Sequence, residues 1–82
     1  MLQPPYQRTQ NYKYSGHTNL VVNEDRVMTI EKAREAYYPD NEGIPVIRFW
    51  FGGKDFHDWY FDKGKETERD SCYLELMVKL RK

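Results

Sequence analysis

The chain has 82 residues, with 13 basic and 13 acidic side chains, and 16% of its residues are aromatic. This length allows one domain, whose small core has to be filled by a few large side chains. An enclosed substrate pocket would compete for those side chains, so length and composition argue against an enzyme and favour a module that acts through its surface.

The first residues are expected to form a flexible arm. Residues 1–10 contain two prolines and mainly polar neighbours, which offer little to bury. Arg8 and Lys13 are the charged residues that precede Glu24, so the N-terminal part is weakly basic. We therefore predict an arm over residues 1–10 and a single domain over residues 11–82.

Two short strands are predicted next. Tyr12 and Tyr14 favour a strand over residues 12–14, and a Ser–Gly turn follows. Residues 19–22 indicate a second short strand, which ends in a polar turn at residues 23–25.

Residues 27–38 allow two interpretations. Strong helix formers run from Thr29 to Ala36, and local propensity favours a helix. The β-branched and apolar residues at the start of this stretch suit a strand instead. Pro39 ends either element, because it forces the residue before it away from helical geometry.

The clearest structural signal is an antiparallel hairpin. Residues 46–51 and 56–61 are strongly β-forming runs on either side of a turn-like segment. Gly52 and Gly53 suit the positive φ angles of a tight turn, whereas a phosphate-binding glycine loop would open into a helix. Side chains alternate between the two faces of such a hairpin, and the more polar face is the one that carries Arg48 and Asp58. The opposite face should therefore enter the core, and it carries Ile47, Phe49, Phe51, Trp59 and Phe61.

The last segment predicts a helix over residues 65–80. Its acidic start and basic end complement the helix dipole, and Thr67 with Asp70 matches a weak capping pattern. One stripe carries apolar side chains at helical spacing, namely Tyr73, Leu76, Met77 and Leu80. Together the elements predict an α+β fold: an antiparallel sheet of four to five strands with one C-terminal helix packed on it, a sheet that can curl into a half-barrel.

Several segments after residue 18 form a recognisable series: residues 22–27, residues 30–31, Ile47-Arg-Phe-Trp-Phe-Gly-Gly53, Asp58-Trp-Tyr-Phe-Asp62, and residues 68–70 with Tyr73. Their order resembles a pattern of small uncharacterised proteins of bacteria and their phages. The resemblance covers residues 19–80 and implies strands throughout, including residues 27–33, and then one helix; on this basis we choose a strand for the ambiguous stretch. It implies no activity, and residues 63–65 form a longer link than the pattern usually has.

Residues able to bind a metal or catalyse a reaction are sparse. His17 and His57 are isolated, and adjacent strand residues such as His57 and Asp58 point to opposite faces and cannot chelate one ion. Cys72 lies on an ordinary amphipathic helix, where a thiol behaves as a small apolar residue. We predict no catalytic residues, no metal site and no cofactor.

The aromatic side chains on the face opposite the core have a functional interpretation. If the helix covers one face only, Trp50, Phe56 and Tyr60 form an exposed patch beside Arg48, which favours binding of a protein partner or a second copy of the chain. The alternative is a weak single-stranded nucleic-acid binder that uses this face and the basic N-terminal arm, but acids balance the few cations. A third interpretation leaves the rings covered by the arm or by a curled sheet.

The sequence favours a cytoplasmic location. It has no apolar run long enough to cross a membrane, and its first residues lack the charged start and apolar centre of a signal peptide. Its single cysteine, Cys72, cannot form an internal disulfide. We therefore predict a small, non-enzymatic, cytoplasmic protein-interaction module with no membrane partner.

Overall fold

Three antiparallel strands and one helix make up the fold, as seen in a computed structural model that describes residues 1–5, 18–34 and 43–81. The strands form one sheet in the order β1-β2-β3. They are β1 at Thr29–Arg34, β2 at Pro45–Gly52 and β3 at Asp55–Tyr60, and the helix is α1 at Glu66–Lys79. The predicted α+β class, an antiparallel sheet with a C-terminal helix, is confirmed.

The start of the chain differs from the prediction. Residues 19–22 are not a regular strand: Val22 forms an isolated antiparallel bridge with Leu2. Leu2 is only 3% exposed and belongs to the core, so the first part of the predicted arm is packed on the domain. The rest of that arm from residue 6 and the strand predicted at residues 12–14 lie outside the described residues.

The side chain of Asn19 forms hydrogen bonds to the backbone of β3, in the way that the backbone of a neighbouring strand would. Its carboxamide oxygen accepts a hydrogen bond from the N–H of Tyr60 at 2.8 Å, and its amide nitrogen donates to the carbonyl of Tyr60 at 3.0 Å. The next carbonyl, that of Leu20, accepts a hydrogen bond from the indole N–H of Trp59 at 2.7 Å. These bonds hold the segment along β3. The predicted polar turn follows as a single 3₁₀ turn at Glu24–Arg26.

The ambiguous stretch is a strand over Thr29–Arg34, as we chose, and its continuation over residues 35–38 lies outside the described residues. Ile30 lies opposite Phe49 on β2 and is 7% exposed, while Thr29 and Glu31 on either side of it are exposed. This alternation shows that pairing with β2 overrides the helical propensity of the segment.

The hairpin is formed by β2 and β3, and its turn contains Gly52 at φ 123° and Gly53 at φ 58°, as predicted. Phe51 is half-buried and not in the core proper, because the register between the two strands shifts at this point. Four of the five predicted core residues have no exposed surface, namely Ile47, Phe49, Trp59 and Phe61.

Helix α1 packs on the core face of the sheet through Leu76, which is 4% exposed. Met77 was predicted to lie on the same stripe but is 48% exposed. The predicted capping pair is also wrong: the helix begins at Glu66, and Lys65 at the cap position makes no side-chain capping bond.

Arg69, and not Met77, belongs to the buried stripe of α1. It is 7% exposed, and its Nη1 donates hydrogen bonds to the carbonyls of Ala33 at 2.7 Å and Val46 at 3.3 Å. Its Nε donates to Asp70 at 2.7 Å. Since Ala33 and Val46 lie in neighbouring strands, one side chain fastens the start of α1 to both β1 and β2.

Candidate partner-binding surface

The outer face of the sheet, opposite α1, brings together three of the four predicted partner-binding residues. The register places Trp50 opposite Phe56, and the centres of their rings are 5.1 Å apart. The guanidinium of Arg48 lies 4.4 Å from the centre of the Phe56 ring and 5.9 Å from that of Trp50. We call Arg48, Trp50 and Phe56 the aromatic cluster.

A bidentate ion pair holds Arg48 in this position. Its Nε and Nη2 donate to the two carboxylate oxygens of Asp58 at 2.8 and 2.9 Å. The side chain of Asp58 is 6% exposed and that of Arg48 is 20% exposed. The hydrogen bond to Asp58 raises the pKa of Arg48, while burial acts in the opposite direction. The pair therefore neutralises the charge of the cluster and fixes the guanidinium under the Phe56 ring.

A second hydrogen bond fixes the indole of Trp50. Its Nε1–H donates to the carboxylate of Glu31 on β1 at 2.9 Å. Trp50 is half-buried, whereas Phe56 is 44% exposed. The cluster thus presents the ring of Phe56 to solvent on a support that is already ordered.

The other end of the outer face is closed. Val46 lies on this face and has no exposed surface. Tyr60 lies opposite Val46 at this end of the face and is half-buried, and its charge acts on Arg48. On the outer face, the described residues are therefore fully buried at Val46 and partly exposed at Phe56.

His57 has a structural role that the sequence did not indicate. Its Nε2 accepts a hydrogen bond from the backbone N–H of Leu20 at 3.2 Å, which requires the neutral ring. Burial lowers the pKa of His57, and the charge of Asp58 opposes this effect. His57 also borders a cleft of about 420 Å³ whose described lining does not include Cys72.

Cys72 is half-buried and packs against the core, as expected for a structural thiol. Burial raises its pKa, which keeps the thiol protonated and a poor nucleophile at neutral pH. Within residues 1–5, 18–34 and 43–81, no three His, Cys, Asp or Glu side chains are grouped so as to hold a metal ion. His17 lies outside these residues.

The described part of the chain contains no helix that is both long enough and apolar enough to cross a membrane. Comparisons of the chain with protein-family models, curated proteins and solved structures give no match. The resemblance to small bacterial and phage proteins therefore stays a prediction, and function has to be argued from the surface.

Proposed function

We propose that this chain is a small, non-enzymatic, cytoplasmic protein-interaction module that binds a protein partner, or a second copy of itself, through the aromatic cluster. The observation that carries the proposal is the position of Arg48 between the Phe56 ring and the carboxylate of Asp58. Aromatic and arginine side chains dominate the energy of many protein interfaces, and side chains that are already ordered lose less entropy on binding.

The neutral charge of the cluster favours a protein over a nucleic acid. Binding to phosphate relies on cations that can exchange small counterions for a phosphate group. Arg48 is instead paired with Asp58, and Trp50 is bonded to the acidic Glu31. We expect no change in tryptophan fluorescence when an oligothymidine is added at low salt; a change that disappears at moderate salt would favour the nucleic-acid alternative.

Site-specific photo-crosslinking in the native host tests the proposal. A benzoylphenylalanine placed at Phe56 should form a discrete adduct with a protein, and the mass of the adduct distinguishes a second copy from another protein. The control is the same substitution at Leu74, which is 66% exposed on α1. No discrete adduct from position 56, or the same adducts from both positions, would contradict the proposal.

We also propose that the complete sheet has four to five strands and curls toward a half-barrel. The contacts of Asn19 and Leu20 along β3 support an extension of the sheet on that side. Cross-strand NOEs between residues 12–14 and β3 would establish a further strand there, and their absence would contradict it.

A further inference from the structure

Strand β1 lies at an edge of the sheet. β2 pairs with one of its sides, and no strand of the described residues pairs with the other. The exposed charges of Glu31, Lys32 and Arg34 protect the second half of this edge from other strands. The first half, at Met28 and Thr29, carries no charge although both residues are exposed.

Two grooves lie beside this uncharged half of the edge. One, of about 280 Å³, lies on the helix side and is lined by Ile30, Met77 and Leu80. The other, of about 300 Å³, is lined by Trp50 and the turn of the hairpin on the outer side. Met28 and Thr29 line both grooves, and Met28 is 74% exposed.

We propose that this edge is a second binding site, where an extended segment of another protein adds to the sheet beside β1. Successive side chains of a strand point to opposite faces, so the segment would place them alternately in the two grooves. Main-chain hydrogen bonds to a sheet edge supply affinity in this mode of binding, and pockets for alternate side chains supply specificity. The thioether of Met28, between the grooves, can adapt to either neighbour.

The charges of β1 disfavour a second copy of β1 as the occupant in the registers that pair most of the strand. In an antiparallel pair, residues directly opposite each other point to the same face of the sheet. If a two-fold axis relates two antiparallel β1 strands, one residue must therefore lie directly opposite its own copy at that axis. The registers that overlap most of Thr29–Arg34 centre on Glu31 or Lys32 and place that charge opposite its own copy. Like charges directly opposite destabilise strand pairing.

The same charges specify the chemistry of the partner segment. It should carry apolar side chains at alternate positions opposite Met28 and Ile30. It should then carry a basic residue opposite Glu31 on the outer face and an acidic residue opposite Lys32 on the helix side. This site goes beyond the proposed function, because Trp50 is the one residue that it shares with the aromatic cluster.

A peptide of this chemistry tests the proposal. The probe is an acetylated and amidated peptide of about ten residues that begins with one glutamate and one lysine and continues with valine and threonine alternating, because an antiparallel segment meets Lys32 before Met28. Titration into the isotope-labelled protein should shift the backbone amide NMR signals of residues 28–34. The control peptide has proline in place of threonine, cannot donate along the edge, and should not bind.

Two matched substitutions locate the site. Met28→Asp should weaken binding of the peptide by about tenfold or more, since it places a charge between both grooves. Val78→Asp should leave affinity within about twofold, because Val78 is 72% exposed but lines neither groove. Both side chains are exposed, and circular dichroism should confirm that each variant is folded.

Four results would overturn the proposal: no shift at about 1 mM peptide, equal binding of the proline peptide, shifts confined to α1 or β3, or equal loss in the two variants. Sedimentation showing a dimer with the β1 amides already protected would also overturn it. Crosslinking at Phe56 does not depend on this edge, so either proposal can fail alone.

Discussion

Among single residues, Arg48 and Asp58 most clearly connect the fold to the proposed function. Removing two charges from water is costly, and a bidentate geometry offsets this cost only when both partners are present. Here the pair also positions the cation under Phe56, whose ring remains partly exposed. The same contact therefore stabilises the sheet and orders the surface that we propose to bind a partner.

Replacing Asp58 should expose how much the fold depends on this pair. We expect Asp58→Asn to lower the free energy of unfolding by about 2–3 kcal/mol, since Arg48 loses its counter-charge but remains partly solvated. Asp55→Asn, at an exposed position of the same strand, should change it by less than about 0.5 kcal/mol. Urea denaturation followed by fluorescence measures both, and equal effects would contradict the role of the pair.

His57 should make stability depend on pH. Its pKa in the folded chain lies below the ordinary value of 6.5, so the unfolded chain takes up a proton first as the pH falls. The stability contributed by the neutral ring is full above about pH 6.5 and decreases as the pH falls through the folded pKa.

The measurement is a comparison of the free energy of unfolding at about pH 7.5 and about pH 5.5 in the parent and in His57→Gln. The parent should lose more stability than the variant, which has no titrating group at this position, and an NMR titration should place the folded pKa of His57 below 6.5. An equal loss in both proteins, or a folded pKa above the ordinary value, would refute this role.

Among the elements, α1 and β1 show what sequence patterns can and cannot predict. Alternation along β2 and β3 placed Arg48, Trp50 and Phe56 on one face correctly, because it depends on strand geometry alone. Tyr60 has the same alternation, but its burial depends on what covers the Val46 end, which is a non-local property. Propensity favoured a helix for β1, and only pairing with β2 makes it a strand.

The spacing of residues in the sequence indicates the buried stripe of α1, but the charge of one of its residues argues against burial. Positions 69, 73, 76 and 80 follow helical spacing, yet a charged residue at the first of them does not look like core. Arg69 is buried because two strand carbonyls accept its hydrogen bonds. Asn19 was missed for a similar reason, since its bonds to Tyr60 cross 41 positions of the chain.

Arg69 should contribute far more to the attachment of α1 than an exposed arginine on the same surface. We expect Arg69→Leu to cost about 2–3 kcal/mol, because buried carbonyls lose a charged donor. Arg34→Leu removes an ion pair with Glu66 whose side chains are 58% and 36% exposed, so we expect less than about 1 kcal/mol. Chemical denaturation of both variants is the test, and a smaller effect at Arg69 than at Arg34 would contradict it.

At the scale of the whole molecule, one face of the sheet is covered, while the described parts of the outer face and of the β1 edge are partly exposed. The core face is filled by α1 and by Leu2, while the outer face is closed at Val46 and open at Phe56. The edge at Met28 is a separate exposed surface. Both proposals depend on this division between covered and open surface.

Solvent paramagnetic relaxation enhancement tests the division directly. With a neutral gadolinium chelate in solution, the ring protons of Phe56 and the methyl of Met28 should relax strongly, since these side chains are 44% and 74% exposed. The methyls of Val46, on the same face as Phe56, should be protected. A Phe56 ring as protected as the Val46 methyls would show that the outer face is closed and would contradict the proposed binding surface.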